Sequence, residues 1–96
     1  MMISLSGKKG VILGVGNQRS IAWAVAKNFY KHGAEMALTY LSDPKGRFES
    51  NVRKLGKEVN ASFIQECDVS DDRAIKTLIS GLKDRWGEMD FLIHSL

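Results

Sequence analysis

One cysteine and one proline occur in 96 residues, and no long apolar run is present. The lone cysteine, Cys67, excludes a disulfide framework within the chain and a paired-cysteine metal site. Its place at the end of an apolar stretch fits a buried thiol rather than a reactive one. No segment reaches the roughly 20 apolar residues of a membrane-crossing helix. Met1 to Ser6 lacks the basic start of an export signal and runs straight into the first strand, so a cytoplasmic location is expected. Repeats, low-complexity tracts and linkers are also missing. The net charge is +3, but lysines and arginines alternate with Asp and Glu through helices and loops. They read as solvated faces, not as a nucleic-acid footprint. What remains, 44% hydrophobic and 26% charged residues, is the balance of a folded globular domain. Its length allows one core, yet falls below that of a complete α/β fold with helices on both sheet faces, so a fragment is expected.

A further scarcity lies in Gly10-Val11-Ile12-Leu13-Gly14-Val15-Gly16-Asn17-Gln18-Arg19-Ser20-Ile21-Ala22, where a short apolar strand meets an amphipathic helix through a glycine-bearing turn. Such a turn brings backbone close to phosphate oxygens and aims the unpaired N–H groups of the helix at the anion. A G-x-G-x-x-G fingerprint would place glycine at Arg19, and a G-x-x-x-G-x-G fingerprint would place it at Gln18 and Ser20. None of these is glycine.

The rest of the chain alternates strands and helices. Gly10 to Leu13 is predicted as the first strand, followed by a helix over about 20–32 with Ile21, Val25 and Phe29 beside Ala22 and Ala26 on its inner face, ended by Gly33. Met36 to Tyr40 reads as the second strand. Ser42-Asp43-Pro44-Lys45-Gly46 then turns into a helix with Phe48, Val52 and Leu55 inward, stopped by Gly56. Ser62 to Cys67 is the third strand. Ser70 or Asp71 caps a third helix that carries Ile75, Leu78, Ile79, Leu82 and Trp86 and closes at Gly87. Phe91-Leu92-Ile93-His94 is a short strand, apolar as if covered on both faces. The pattern βαβαβαβ with right-handed crossovers predicts an α/β, Rossmann-type doubly wound parallel sheet of order 3-2-1-4. Its ligand crevice lies beyond the carboxyl ends of strands one and four, with Gly14 facing Ser95. The outer edge of the fourth strand is then an exposed apolar template, and more chain or a partner is expected beyond Leu96.

Within this frame, Gly14 ends the first strand where a side chain would block phosphate. Gly16 bends the loop, and Ser20 caps the helix while presenting a hydroxyl to a pyrophosphate oxygen. At Cys67-Asp68-Val69, the Asp68 carboxylate suits an adenine amino group and the Val69 N–H suits the neighbouring ring nitrogen; Ser70 and Asp71 are on hand to cap the following helix in its place. The second strand ends in Thr39-Tyr40-Leu41, with neither the acid that selects NAD nor a basic residue immediately after it, so the motif leaves NAD and NADP both open. His94 reads as a histidine packed at a strand terminus, not as a catalytic group.

Leu5-Ser6-Gly7-Lys8, Gly14 with Ser20-Ile21-Ala22, Gly33-Ala34-Glu35, Thr39-Tyr40, Cys67-Asp68-Val69 and Phe91-Leu92-Ile93-His94-Ser95 together closely resemble the bacterial enoyl-[acyl-carrier-protein] reductases, divergent short-chain dehydrogenase/reductases. The likeness spans essentially the whole chain. Ser-Ile-Ala in place of the usual glycines, and His-Ser in place of Asn-Asn-Ala-Gly, set it apart from ordinary ketoacyl reductases. The resemblance implies that Gly14, Ser20, Ile21, Ala22, Asp68, Val69, Ser95 and Leu96 contact the cofactor, and that Leu41 stands where relatives often have a glutamine.

It further implies hydride transfer from C4 of NADH to the β-carbon of a trans-2-enoyl thioester on acyl carrier protein, in type II fatty-acid synthesis, by a homotetrameric enzyme without a catalytic metal. Residues 1–96 would be the N-terminal cofactor-binding portion of a single Rossmann-fold domain, truncated at its C-terminus. The family's catalytic tyrosine and lysine lie downstream of the equivalent of Leu96, and neither Tyr30 nor Tyr40 replaces that tyrosine, so no catalytic residue is assigned and the segment alone is expected to be inactive. The alternatives are another short-chain dehydrogenase/reductase, such as a 3-oxoacyl-carrier-protein reductase, and a dinucleotide-binding module without chemistry.

Overall fold

The computed structural model describes residues 4–16 and 19–94. In chain order they form β1 (Lys9–Leu13), α1 (Ile21–Lys31), β2 (Glu35–Tyr40), α2 (Arg47–Glu58), β3 (Phe63–Glu66), α3 (Asp72–Trp86) and β4 (Phe91–His94). The strands pair in the order β3-β2-β1-β4, and every pairing is parallel. This is the doubly wound arrangement that the alternation of elements predicts.

Right-handed crossovers fix the layers. From β1 the chain steps outward to β2 and β3, so α1 and α2 share one face; it then returns past β1 to reach β4, which puts α3 on the other. Two cores result. Ile12, Met36, Leu38 and Tyr40 pack with Ala22, Trp23 and Ala26 of α1 and Val52 and Leu55 of α2. On the opposite face Val11, Leu13 and Ala37 pack with Cys67 and with Leu78 and Leu82 of α3. Successive residues of β1 and β2 are therefore buried in alternation on both sides, which is why these strands read as continuous apolar runs. Each such fully buried aliphatic side chain contributes roughly 1.5–3 kcal/mol relative to exposure.

Three expectations change on contact with the structure. Ile21, assigned to the inner face of α1, is 74% exposed, while Trp23 is 2% exposed and belongs to the core. At roughly 100° per residue, a stripe centred on Ala22, Ala26 and Phe29 leaves Ile21 well over a quarter-turn off its middle, whereas Trp23 reaches inward. Gly56 does not stop α2 but lies inside it and is buried. A Cβ there would meet Ile64 Cδ1 at 2.5 Å, so the glycine lets helix and strand approach closely, and the helix ends instead at Val59. Finally, β4 is an edge strand whose Leu92 is 45% exposed rather than covered on both faces. Its Phe91 faces the α1 side, edge-on to Phe29 with centroids 5.0 Å apart, in space that Gly10 leaves clear.

The turns that aim these elements are closed by side chains. Asp43 accepts from the N–H of Phe48 (3.1 Å) and holds the start of α2. Of the two cap candidates for α3, Asp71 is the one used, its carboxylate accepting from the N–H of Arg73 at 2.9 Å.

Candidate functional site

At the carboxyl end of β1 the chain turns through Gly14, whose φ is +82°. A residue with a Cβ adopts that region only under strain. The corner is pinned to the neighbouring strand. The Gly14 N–H donates to Thr39 Oγ1 (3.2 Å), and the Val15 N–H donates to the Thr39 carbonyl (3.0 Å). Beyond the corner Ser20 caps α1 from an extended conformation, and its Oγ accepts from the N–H of Trp23 at 3.1 Å. The Ala24 N–H takes the Ser20 carbonyl at 3.2 Å. The N–H groups of Ile21 and Ala22 precede the first carbonyl that an α-helix can offer them, so the start of α1 is donor-rich and carries the positive end of the helix dipole.

Beside this corner a crevice of about 170 Å³ is lined by Gly14, Leu41, Cys67, Asp68, Val69 and His94. It lies at the carboxyl ends of the strands, where the reversal of strand order around β1 opens a gap between loops. Its size is below the roughly 300 Å³ of a complete small-molecule site, so it suits one moiety of a larger ligand. Asp68 Oδ1 accepts from both the N–H (2.9 Å) and the hydroxyl (2.6 Å) of Ser70. Those bonds, the Ser70 hydroxyl first, hold the Asp68 carboxyl below its ordinary value and keep it an anion. A carboxylate has about four lone-pair directions, so Ser70 does not exhaust its capacity to accept. Asp68 thus closes the turn after β3 and leaves the capping of α3 to Asp71.

Gly14, Asp68 and Val69 are brought together in this crevice. Ser20, Ile21 and Ala22 sit at the start of α1, outside its lining. There Ala22 is fully buried, so it has only backbone to offer a ligand, and the exposed Ile21 side chain points away from the core. Ser95 and Leu96 lie outside the described residues. Gly16, the second glycine of the turn, is half-buried against Phe48. His94 is exposed and lines the crevice, a correction to its reading as a packed strand-terminal residue; among the described residues β4 pairs with β1 alone. Sequence reasoning also passed over Thr39. A threonine inside the apolar run Met36 to Tyr40, fully buried, was the available signal.

Other groups fall away from the site. Tyr40 is buried in the α1/α2 core, where desolvation first, and then Glu49, push its phenol pKa up. Tyr30 borders a wider groove of about 470 Å³ with Gly33, Ala34, Glu35, Val59, Asn60 and Ser62. That groove lies at the amino ends of the strands, where α1 and α2 present their carbonyl termini, a setting that repels a pyrophosphate. Burial raises the Cys67 thiol pKa, with Asp68 adding to the effect, so Cys67 forms wall rather than nucleophile. Among the described residues no cluster of His, Cys, Asp and Glu is arranged to hold a metal ion, and no helix is long and apolar enough to cross a membrane.

A glycine corner free of side chain, a donor-rich helix start and an anionic acceptor across a crevice fit a dinucleotide's phosphates and base. Known proteins share the sequence and the fold. The family model described as enoyl-(acyl carrier protein) reductase matches residues 14–96. The enoyl-[acyl-carrier-protein] reductase [NADH] FabI of Synechocystis sp. is 42% identical over 95 residues, which cover 99% of this chain and 37% of that protein. The structure of the Anaplasma phagocytophilum reductase, in complex with NAD, superposes with a TM-score of 0.84 at 39% identity, over 96% of this chain and 35% of that one. The Aquifex aeolicus enoyl-[acyl-carrier-protein] reductase (NADH) gives 0.85 at 42% identity, over 94% and 34%. The chain therefore spans about a third of the length of these relatives. With the match running from the glycine corner to the last residue, the chain belongs to the enoyl-(acyl carrier protein) reductase family.

Proposed function

We propose that this chain is the N-terminal, cofactor-binding portion of a single Rossmann-fold domain in an NADH-dependent enoyl-[acyl-carrier-protein] reductase of type II fatty-acid synthesis. The observation that carries the reading is the meeting of Gly14, Asp68 and Val69 in one crevice beside the start of α1. When bound, NADH supplies the hydride that reduces the double bond of a trans-2-enoyl thioester. Gly14 gives the pyrophosphate a close approach to backbone, and the N–H groups of Ile21 and Ala22, with Ser20 at the cap, hold its charge. Asp68 accepts from the adenine amino group while the Val69 N–H donates to the adjacent ring nitrogen. Ser95 and Leu96, which lie outside the described residues, are cofactor contacts by the family resemblance alone. Among the described residues the crevice lining holds Leu41 and no lysine or arginine, which favours NADH over a cofactor carrying a 2′-phosphate.

No catalytic residue is assigned within the chain, since Tyr40 is buried away from the crevice and Tyr30 lies toward the opposite end of the sheet. The proton-donating and nicotinamide-holding groups belong to sequence outside it. Enoyl thioesters on acyl carrier protein are the substrate, a homotetramer is the assembly that the family resemblance implies, and a cytoplasmic location fits both. The test uses the complete gene product. NADH oxidation followed at its absorbance band is expected with a 2-enoyl thioester and not with a 3-oxoacyl thioester, and more slowly with NADPH. Turnover of the 3-oxoacyl thioester instead would move the protein to another reductase class, and NADH binding without turnover of either would make it a binding module.

A further inference from the structure

We infer that Thr39 is a positioning residue for the phosphate-facing corner at Gly14, an inference that rests on the cofactor reading above. Thr39 is the one non-aromatic hydroxyl buried among the described residues, with no exposed surface, in a strand whose positions from Met36 to Leu38 are apolar. A threonine there needs a partner, because an unmatched buried hydroxyl is costly. Its partner is the corner itself. Oγ1 accepts from the Gly14 N–H at 3.2 Å, and the carbonyl of the same residue accepts from the Val15 N–H at 3.0 Å.

Two consequences follow from one residue taking both amides. The N–H groups of Gly14 and Val15 point into the sheet and are spent on Thr39, so they do not serve as phosphate donors; the anion is left to the amides at the start of α1. The backbone at Gly14, held in the left-handed region at φ +82°, is also fixed from the side by a group that lies on β2 and has no exposed surface. A corner tied at a single carbonyl keeps a hinge about the peptide between Leu13 and Gly14. The second bond, through the hydroxyl, removes it. Thr39 therefore acts on cofactor affinity by holding the corner open to the pyrophosphate, and it contributes nothing to the chemical step.

The experiment compares Thr39→Val, which keeps the branched shape and deletes the acceptor, with Thr39→Ser, which keeps the acceptor and deletes the methyl, in the complete gene product. Titration with NADH is expected to show Kd raised about tenfold in Thr39→Val and within about twofold of the parent in Thr39→Ser, as the loss or retention of one buried hydrogen bond dictates. KM for NADH should follow Kd while kcat holds. Amide hydrogen exchange at Gly14 should be slow in the parent without ligand and fast in Thr39→Val. An unchanged Kd in Thr39→Val, a serine variant as impaired as the valine one, or fast Gly14 exchange in the parent would each overturn the assignment, the last even if the valine variant fails to fold. A parent protein that does not bind NADH at all would instead overturn the cofactor reading, whatever the exchange at Gly14.

Discussion

Gly14 meets a strict demand on a single residue, a φ of +82° beside a crevice. A methyl group there meets two penalties. The left-handed backbone costs roughly 1 kcal/mol or more for a residue with a Cβ, and the Cβ stands where phosphate should approach. Gly14→Ala is expected to lower stability by about that amount in urea titrations and to weaken NADH binding by more than about tenfold, since close approach is lost as well. Cys67 makes the contrasting case. Its thiol is buried and its pKa is raised, so folded protein should react with a thiol reagent at neutral pH far more slowly than protein in denaturant; equal rates would remove it from the wall of the crevice. The turn at Gly14 and the burial of Cys67 were legible because each follows from type and position in the chain. Thr39 was not. Its partner amides lie 24 and 25 residues upstream in sequence, and only the parallel pairing of β1 with β2 brings them within reach.

At the level of elements, the order βαβαβαβ and the strand sequence 3-2-1-4 were readable because apolar runs, caps and breakers alternate in a regular way, and crossover handedness then leaves few topologies. What failed was the meaning of one glycine, the inward placing of Ile21 and Ile79, and the covering of β4 on both faces. Gly56 is a contact surface for Ile64 and not a stop signal, and Ile21 falls off the stripe that Trp23 joins. Both depend on what stands opposite the helix, which periodicity does not report. Glu35 adds a link between elements that no local pattern shows. At the start of β2 its carboxylate accepts from the Ser62 hydroxyl (2.7 Å), ahead of β3, and from the Trp86 indole N–H (2.8 Å), at the end of α3. These two bonds, Ser62 first, hold its pKa below the usual carboxylate value. A lowered carboxylate pKa stabilises the fold above its ordinary value and ceases to do so as pH falls through the lowered one. Glu35→Gln should therefore be less stable than the parent at neutral pH, by about 1 kcal/mol after solvent screening of so exposed a group. The two unfolding curves should converge in acid. Emission from Trp23 and Trp86 follows the unfolding, and a gap that persists below the carboxylate range would show that charge is not what Glu35 contributes.

For the whole molecule, the two edges of the sheet are unequal. The β3 edge is short and carries Gln65 and Glu66, the kind of polar edge that resists pairing with another sheet. The β4 edge carries Phe91-Leu92-Ile93-His94. On the α3 side, Leu92 is 45% exposed, with Ile79 and Met89 each 37% exposed, and an apolar hollow runs between α3 and the segment leading into β4. A parallel strand with an open edge and an uncovered apolar face templates association with another copy. The 96-residue chain produced by itself is expected to self-associate as concentration rises, seen as growing light scattering and a rising sedimentation coefficient. Leu92→Lys places a charge on that face without touching either core, and it should suppress the association while leaving the helical circular dichroism intact. The same change on the polar β3 edge, Gln65→Lys, should do much less. A monomer that stays dispersed at high concentration, or one that is equally rescued from either edge, would mean that β4 is not the surface through which these copies meet.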